Sequence, residues 1–269
     1  CNRWGGVLNL DGVYLKVKGY PKAIPAIYGI DFLTHDIPCG ILAPSENEAA
    51  FTKFFSLLKG AHYPLHLVVF DDAAAIKPAL KRIFPDARIQ LCHVHILRNV
   101  RIVLGITKEK TAHRPFFLAI QDLLRKDTRD AASVTYHSLL YRYGQHVLYR
   151  DILLDLGAKW EYLFSYRELR NRKQLCPHTN NLIEAYNSHL KARLKSIKGF
   201  ESFSSAARWL NAYLLRRRFK PFTGCGKPFT HLNGYCSFAF SKRRSAPWPE
   251  IPGISPPKNN PKNQPEMQR

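Results

Sequence analysis

The stretch LHLVVFDDAAAIKPALKRIFPDARIQLCHVHILRNV, residues 65–100, decides the fold class of this chain. It opens on a continuous apolar run that ends abruptly at Asp71, which predicts a strand buried on both faces. The segment AAAIKPALKRIF then predicts a helix with a weak point at Pro78, because proline lacks an N–H. A short strand, ARIQL, and a further helix beginning near Ile96 follow. Strand, helix, strand and helix in this order are typical of an α/β protein.

Upstream of this stretch, three segments have the apolar and polar patterning of short strands. They are VLNLDGVYLKVK, IPAIYGIDFL and IPCGIL, at residues 7–18, 24–33 and 37–42. The segment ENEAAFTKFFSLLKG then predicts a helix that ends at Gly60. We therefore expect an α/β fold in which a mixed sheet is flanked by helices, with its ligands at the carboxyl ends of central strands.

Downstream, the patterning changes from mixed to helical. Residues 105–170 contain helical segments such as FFLAIQDLLRKD and no strand pattern, so they predict an all-helical insertion. The sheet-forming core is expected in residues 1–104 and is completed by final helices in 171–220. Residues 221–269 form a basic tail, rich in proline towards its end, which we expect to be disordered because such a composition buries little apolar surface.

The net charge points to a polyanionic partner. The 269 residues include 41 Lys and Arg against 20 Asp and Glu, which gives a formal charge of +21. Many of these cations lie on the predicted helices between residues 191 and 220, where they suit phosphate contacts. A basic protein that binds nucleic acid without any chemistry is the alternative on charge alone.

The cysteines and the apolar runs indicate where the protein works. Six cysteines are scattered along the chain without the spacing of a disulfide scaffold, which favours reduced, intracellular thiols. No apolar run reaches the ~18 residues of a membrane span, and no signal peptide opens the chain. Because Cys1 stands almost directly before the first predicted strand, we expect a fragment that lacks an upstream part.

Three acidic residues occupy positions that ordinary folding does not favour. Asp71 directly follows a buried strand, and Asp11 interrupts the apolar pattern of the first strand. The alternative for Asp11 is a hairpin turn at Asp11-Gly12, although the break in the pattern favours a bulge over a loop. Glu184 lies off the apolar stripe of its helix. Its alternatives are a solvated face, or a capping box in which Asn181 is the N-cap.

A divalent cation gives these acids a common role. Two carboxylates on neighbouring strands repel each other and raise each other's pKa unless a cation lies between them. A third carboxylate, on a helix packed across the strands, completes a site made of oxygen ligands. Such ligands suit Mg²⁺ or Mn²⁺.

Residues 7–220 resemble the catalytic domain of Mutator-like DDE transposases, a group that includes bacterial insertion-sequence enzymes with a ribonuclease H-like fold. The resemblance rests on LDGVYLKVKG, on DDAAAIKPALKRIFPDARIQLCHVHILRNV and on HTNNLIEAYNSHLKARLKSIKGF. It implies that Asp11, Asp71 and Glu184 are catalytic and hold Mg²⁺ or Mn²⁺. Asp71 is preferred to Asp72 because it stands thirteen residues before Phe84. Two departures are Asp72, where many relatives have glycine, and the lack of an N-terminal DNA-binding region.

Further residues near these motifs are candidates for DNA binding. Lys191, Lys195 and Arg98 are expected to contact backbone phosphates. Within the Cys-x-x-His element that begins at Cys92, the resemblance gives His95 a place beside the active site, where it contacts DNA or supports an acid; a buried pair at a helix start is the alternative. A structural zinc site is disfavoured because it needs four ligands at regular spacing.

Trp160 lies in the predicted helical insertion, and two interpretations apply to it. It is a candidate to stack on an unpaired base while DNA is opened. A core position within the insertion is the favoured alternative, since a tryptophan in a helical region usually packs in the interior.

These observations together predict a DNA transposase core. It cleaves element ends and joins them to target DNA by two-metal catalysis, and it assembles as a homo-oligomer on DNA. One alternative is a ribonuclease H-like nuclease such as a junction resolvase, which cuts but never joins. Another is a decayed transposase that binds DNA without cutting it. The expected location is intracellular and DNA-associated, away from membranes.

Overall fold

The structure is a computed structural model that describes residues 3–72, 74–109, 111–170 and 175–242, together with 245, 248 and 249. The described strands are β1 (Val7–Leu15), β2 (Ile24–Asp31), β3 (Gly40–Leu42), β4 (Leu67–Phe70) and β5 (Arg88–Leu91). The described helices are α1 (Glu48–Gly60), α2 (Ile76–Ile83), α3 (His93–Val103), α4 (Arg114–Arg125), α5 (Arg129–Tyr143), α6 (Val147–Ala158), α7 (Trp160–Leu163), α8 (Ser165–Arg170), α9 (Asn181–Ile197), α10 (Phe203–Phe219) and α11 (Ser237–Ser241), with a short 3₁₀ helix at Thr230–Leu232.

The strands form one mixed sheet in the order β3-β2-β1-β4-β5, flanked by helices. This confirms the predicted ribonuclease H-like α/β fold. Between residues 105 and 170 the described chain holds α4 to α8 and no strand, which agrees with the predicted helical insertion. Among the described helices, none combines the length and the apolar character that crossing a membrane requires.

β1 is the central strand, and it runs through Asp11 and Gly12 without a turn or a bulge. Its antiparallel register with β2 continues from Leu8 opposite Asp31 to Leu15 opposite Ile24. The bulge expected at Asp11-Gly12 is therefore wrong. The apolar pattern changes phase because the first residues of β1 are buried on both faces, whereas beyond Gly12 only alternate residues are buried.

Pro78 does not weaken α2, because the helix begins at Ile76 and not at the start of the apolar segment. Pro78 is then the third helical residue. The first four N–H groups of a helix have no partner within it, so a missing N–H there removes no hydrogen bond. The predicted weak point is thus an ordinary feature of a first helical turn.

The described residues divide into two compact units. The first unit contains Cys1–Val68, Ala73–Ala87 and Asn181–Arg269, and the second contains Val69–Asp72 and Arg88–Asn180. In the first unit, one face of β1 and β2 packs against α9 and α10 in a core that includes Val13, Leu15, Tyr28, Leu190 and Leu210. In the second unit, Gln90 of β5 donates from Nε2 to the carbonyl of Leu163, at 2.9 Å.

The first part of the predicted tail is ordered, so the expectation of disorder is wrong for residues 221–242. They carry the 3₁₀ helix and α11, with a small apolar core of Phe222, Leu232 and Phe240. The fully buried Asp36 connects this segment with the rest of the first unit. It accepts hydrogen bonds from Arg218 Nη2 at 2.7 Å and from Ser237 Oγ at 3.0 Å. Most of the remaining tail, between 243 and 269, lies outside the described residues.

Candidate active site

Asp11 is half-buried in the middle of β1, and two neighbours fix its carboxylate. The N–H of Gly12 donates to Oδ1 at 2.7 Å, and Asn187 Nδ2 of α9 donates to Oδ2 at 2.5 Å. The hydroxyl of Tyr28, which lies opposite Asp11 on β2, donates in turn to Asn187 Oδ1 at 2.6 Å. A buried chain of hydrogen bonds therefore orients Asp11 before any ligand binds.

The pKa of Asp11 is raised above its usual value. Burial is the largest cause, and the nearby carboxylates of Glu184 and Glu46 raise it further. The N–H of Gly12 and the ammonium of Lys191 act in the opposite direction. Several carboxylates therefore repel one another here, and a divalent cation bound among them would relieve that repulsion.

Glu184 is half-buried on α9, and its charge acts on Asp11. The helix begins at Asn181, so Glu184 is its fourth residue and Ile183 is its third. A capping box pairs the N-cap with the third helical residue. Glu184 therefore lies in the first turn of α9, where a capping role and a ligand role are both sterically possible.

Glu46 is a further carboxylate near Asp11 that the sequence analysis did not single out. Its Oε1 occupies the space that a Cβ on Gly12 would fill, so a glycine at position 12 allows this close approach. Glu46 also accepts a hydrogen bond from Tyr14, whose pKa rises to about 12, mainly through burial and then through Glu46. In the sequence, Glu46 stands just before a helix start, where acidic residues are common, so its pattern gave no signal.

Asp71 lies in the second unit, directly after β4, where it pairs with His95 of α3. Asp71 Oδ1 lies 2.6 Å from His95 Nδ1, and His95 Nε2 lies 3.1 Å from Arg98 Nη1. Because a guanidinium only donates, Nε2 of His95 is the acceptor in its contact with Arg98. His95 is therefore in contact with both an acid and a base, and its predicted roles, supporting Asp71 or contacting DNA, stay predictions.

Cys92 completes a compact group with Asp71 and His95. One potential ligand atom of each residue lies within 4.8 Å of the others. The thiol of Cys92 accepts from the backbone N–H of Asn180 at 3.2 Å, and its pKa is raised chiefly by burial. A protonated thiol is a poor ligand, and these three residues fall short of the four ligands of a structural zinc site. The group suits a role in holding Asp71 in place.

Asp72, the neighbour of Asp71, has a different partner. Lys159 Nζ lies 2.9 Å from Asp72 Oδ2 and 2.8 Å from Asp155 Oδ2. Burial lowers the pKa of Lys159, but the two carboxylates outweigh it and the pKa is raised, so Lys159 stays charged. Each of the two neighbouring acids thus has its own partner, His95 for Asp71 and Lys159 for Asp72.

The remaining predicted site residues are divided between the units. In the first unit, Lys191 and Lys195 are exposed on α9. In the second unit, Arg98 is exposed, whereas Trp160 is partly buried, with ring centroids 5.1 Å from Tyr136 and 5.0 Å from Phe164. These packing contacts support a core position for Trp160.

Comparisons of the sequence with known proteins give one family and several relatives. The family described as "Transposase, Mutator family" matches residues 6–219. The transposase for insertion sequence element IS256 in transposon Tn4001, from Staphylococcus aureus, is 27% identical over 176 residues, which are 65% of this chain and 44% of that protein.

Two other relatives come from lactic acid bacteria. The transposase for IS1201 of Lactobacillus helveticus is 24% identical over 79% of this chain and 50% of its own length. The transposase for IS905 of Lactococcus lactis is 23% identical over 76% and 52%, respectively. The chain thus spans about half the length of the curated relatives that it matches. Because the family match covers most of the residues, this chain belongs to the Mutator family of transposases.

Proposed function

We propose that this chain is the catalytic domain of a DNA transposase, which cleaves the ends of a mobile element and transfers them to target DNA. The observation that carries the proposal is the carboxylate of Asp11, fixed by Gly12 and Asn187 beside the charge of Glu184. An acid in a central strand is costly to bury unless something pairs with it, and Glu184 adds a second negative charge beside this one. Family membership supplies the reaction class.

The residues fit a divalent metal cofactor of the hard type. Asp11, Asp71 and Glu184 offer only carboxylate oxygens, which Mg²⁺ and Mn²⁺ prefer. Burial raises the pKa of Asp11, the carboxylates of Glu184 and Glu46 raise it further, and a bound divalent cation would lower it. When bound, such a metal activates water or a 3′-hydroxyl and stabilises the leaving oxygen of the phosphodiester.

The protein's own groups hold and tune these acids. Asn187 and Gly12 orient Asp11 in the first unit, and His95 orients Asp71 in the second. We infer that Lys191, Lys195 and Arg98 contact backbone phosphates, which sets the affinity and its dependence on salt more than the choice of sequence. The partner is therefore DNA, and assembly on paired element ends gives a homo-oligomer.

The experiment is strand transfer with a pre-cleaved element-end oligonucleotide, a target plasmid and Mn²⁺. We expect joined product from the wild-type chain and none from Asp71→Asn, while DNA affinity stays equal or rises slightly because a negative charge is removed. Asp72→Asn is the matched control and should retain joining. If Asp71→Asn keeps joining and Asp72→Asn loses it, the catalytic acid is Asp72 and the proposed assignment to Asp71 is wrong.

The same assay separates the alternatives. Cleavage without any joined product would favour a ribonuclease H-like nuclease such as a resolvase. DNA binding without cleavage or joining would favour a non-catalytic DNA-binding protein.

A further inference from the structure

Two adjoining cavities lie between α9, α10 and the segment that follows α10, all within the first unit. The larger has a volume of about 430 Å³ and the smaller about 390 Å³. Both are lined by Arg193 of α9 and by Tyr213 and Arg216 of α10, so they form one surface, which we name the α9/α10 groove. Arg217 and Lys220 line its larger part, and Trp209 lines its smaller part.

The α9/α10 groove is positively charged and holds no carboxylate in its lining. Among the described residues, no ion pair involves Arg193, Arg216, Arg217 or Lys220. Like charges gathered without a counter-charge destabilise a fold unless an anion binds to them. The surface therefore suits an anionic ligand.

Arg217 shows how the protein fixes one of these cations. Its guanidinium lies over the ring of Tyr186, 4.6 Å from the centroid. Its buried Nε has no hydrogen-bond partner among the described residues. Since Nε is buried, the terminal nitrogens of this guanidinium are the donors that remain for a phosphate in the groove. Stacking thus fixes a donor at the wall of the groove.

Tyr213 marks the point where the arginines meet. Burial raises the pKa of its hydroxyl, while the charges of Arg217, Arg193 and Arg216 lower it. Three guanidinium groups on two helices thus act on a single hydroxyl. Guanidinium groups match phosphate geometry with paired N–H donors, so their convergence favours a phosphodiester over an isolated carboxylate.

Aromatic rings continue the groove beyond the arginines. Trp209 stacks on Tyr213 with centroids 5.4 Å apart and an interplanar angle of 18°, and it packs against Phe200 at 5.4 Å. Trp209 is only partly buried, and it lines the smaller cavity together with Arg193. A basic groove joined to an aromatic platform is the arrangement that binds single-stranded nucleic acid, with phosphates on the cations and bases on the rings.

We propose that the α9/α10 groove binds one unpaired strand of DNA, with its phosphates at Arg193, Arg216 and Arg217 and a base against Trp209. This proposal rests on the proposed function and specifies where the chain holds its substrate. Arg193 follows Glu184 by nine residues on α9, which is about 13 Å along a helix.

The test is fluorescence anisotropy of a labelled single-stranded oligonucleotide and of its duplex over a series of salt concentrations, without metal. We expect the double variant Arg193→Ala/Arg216→Ala to bind the single strand about tenfold more weakly. Its log-log salt slope should fall by about 1.4, or ~0.7 for each lost contact. The matched control is Arg142→Ala/Arg150→Ala, which removes two exposed arginines of the second unit and should change the affinity less than twofold.

A second measurement tests the aromatic platform. Single-stranded DNA should quench the tryptophan fluorescence of the wild-type chain. In Trp209→Phe most of this quenching should disappear while the affinity is largely kept, because phenylalanine still offers a stacking face. Trp209→Ala should lose about tenfold in affinity, as expected for the loss of one stacked base. Thermal unfolding of each variant shows whether a loss of binding is a loss of folding.

Failure of this proposal is distinct from failure of the proposed function. Equal losses in the two double-arginine variants would overturn the groove, because net charge alone would then explain the binding. A loss confined to duplex DNA would overturn the assignment to an unpaired strand. Neither result would bear on metal-dependent joining. An absence of joining by the wild-type chain would contradict the proposed function, but the binding of single-stranded DNA to the groove could still be measured.

Discussion

Glu184 has two interpretations that predict opposite results: a cap or surface residue of its helix, or a ligand of the metal. It lies in the first turn of α9, and its charge acts on Asp11. We predict that Glu184→Gln keeps the fold and loses both strand transfer and the thermal stabilisation that Mn²⁺ provides. The reason is that an amide oxygen lacks the charge that a hard divalent cation requires.

The control for this variant is Glu201→Gln, which removes an exposed acid paired with Lys18 at 3.0 Å. Exposed pairs contribute little, so both stability and joining should stay near the wild-type values. Differential scanning fluorimetry with and without Mn²⁺, combined with the joining assay, measures both quantities. A Glu184→Gln variant that joins DNA at the wild-type rate would return Glu184 to an ordinary surface role.

Asn187 acts at the same scale, through its contact with Asp11. We predict that Asn187→Leu lowers the rate of joining at least tenfold and weakens Mn²⁺ binding, because Asp11 loses a 2.5 Å hydrogen bond and its fixed orientation. The substitution also leaves the buried Tyr28 hydroxyl without its partner. We therefore expect a loss of about 1–3 kcal/mol in the free energy of unfolding.

Tyr28→Phe separates the two effects of Asn187. It removes the outer link of the chain and leaves the hydrogen bond between Asn187 and Asp11 in place. Stability should fall while Mn²⁺ affinity and the rate of joining change little. Equal loss of activity in both variants would indicate that Asn187 matters only for folding.

At the scale of the elements, a buried histidine at the start of α3 makes the second unit sensitive to acid. Burial, followed by the nearby His178 and Arg167, lowers the pKa of His93 to about 4, although the carbonyl of Leu163 opposes the shift. The folded state thus binds a proton less readily than the unfolded chain does. Stability is complete above the ordinary pKa of ~6.5 and is lost as the pH falls towards 4.

We predict that the thermal midpoint of the wild-type chain falls between pH 6.5 and about pH 4, with about 3 kcal/mol of that loss from His93. His93→Gln should be less stable at neutral pH but should fall less steeply with acid. Burial also lowers the pKa of His35 to about 4, so His35 should preserve part of the pH dependence of stability in this variant. The control is the exposed His137→Gln, and a His93→Gln curve parallel to the wild-type curve would contradict the assignment.

Sequence patterns located most elements but not every boundary within them. The apolar run 65–70 predicted β4, and the helical insertion followed from the absence of strand patterns. The change in the apolar pattern of β1 at Asp11 did not indicate a bulge. The strand is buried on both faces before Asp11 and on one face after Gly12, and this change alters the apolar pattern as strongly as the extra residue of a bulge would. Treating residues 221–269 as one disordered tail missed a small apolar core of Phe222, Leu232 and Phe240 in its first part.

At the scale of the whole molecule, the net charge of +21 dominates the interaction with DNA. We predict that the affinity for nonspecific duplex DNA falls steeply with salt, with a log-log slope of several units, because each phosphate contact releases counterions. Titrations by fluorescence anisotropy at several salt concentrations measure the slope. A flat response would remove nucleic acid as the partner of this chain.

The sequence by itself determined the α/β fold class and the net charge, because burial periodicity and charge can be read from local segments. Its resemblance to a family added three acids as candidates for the site. The tertiary structure alone decided what surrounds those acids. Asn187 reaches Asp11 across 176 residues and Tyr28 across 159, and Glu46 approaches Asp11 only because position 12 lacks a side chain. Pairings of this kind depend on how distant segments pack together, and the spacing of apolar residues within one helix or strand does not predict that packing.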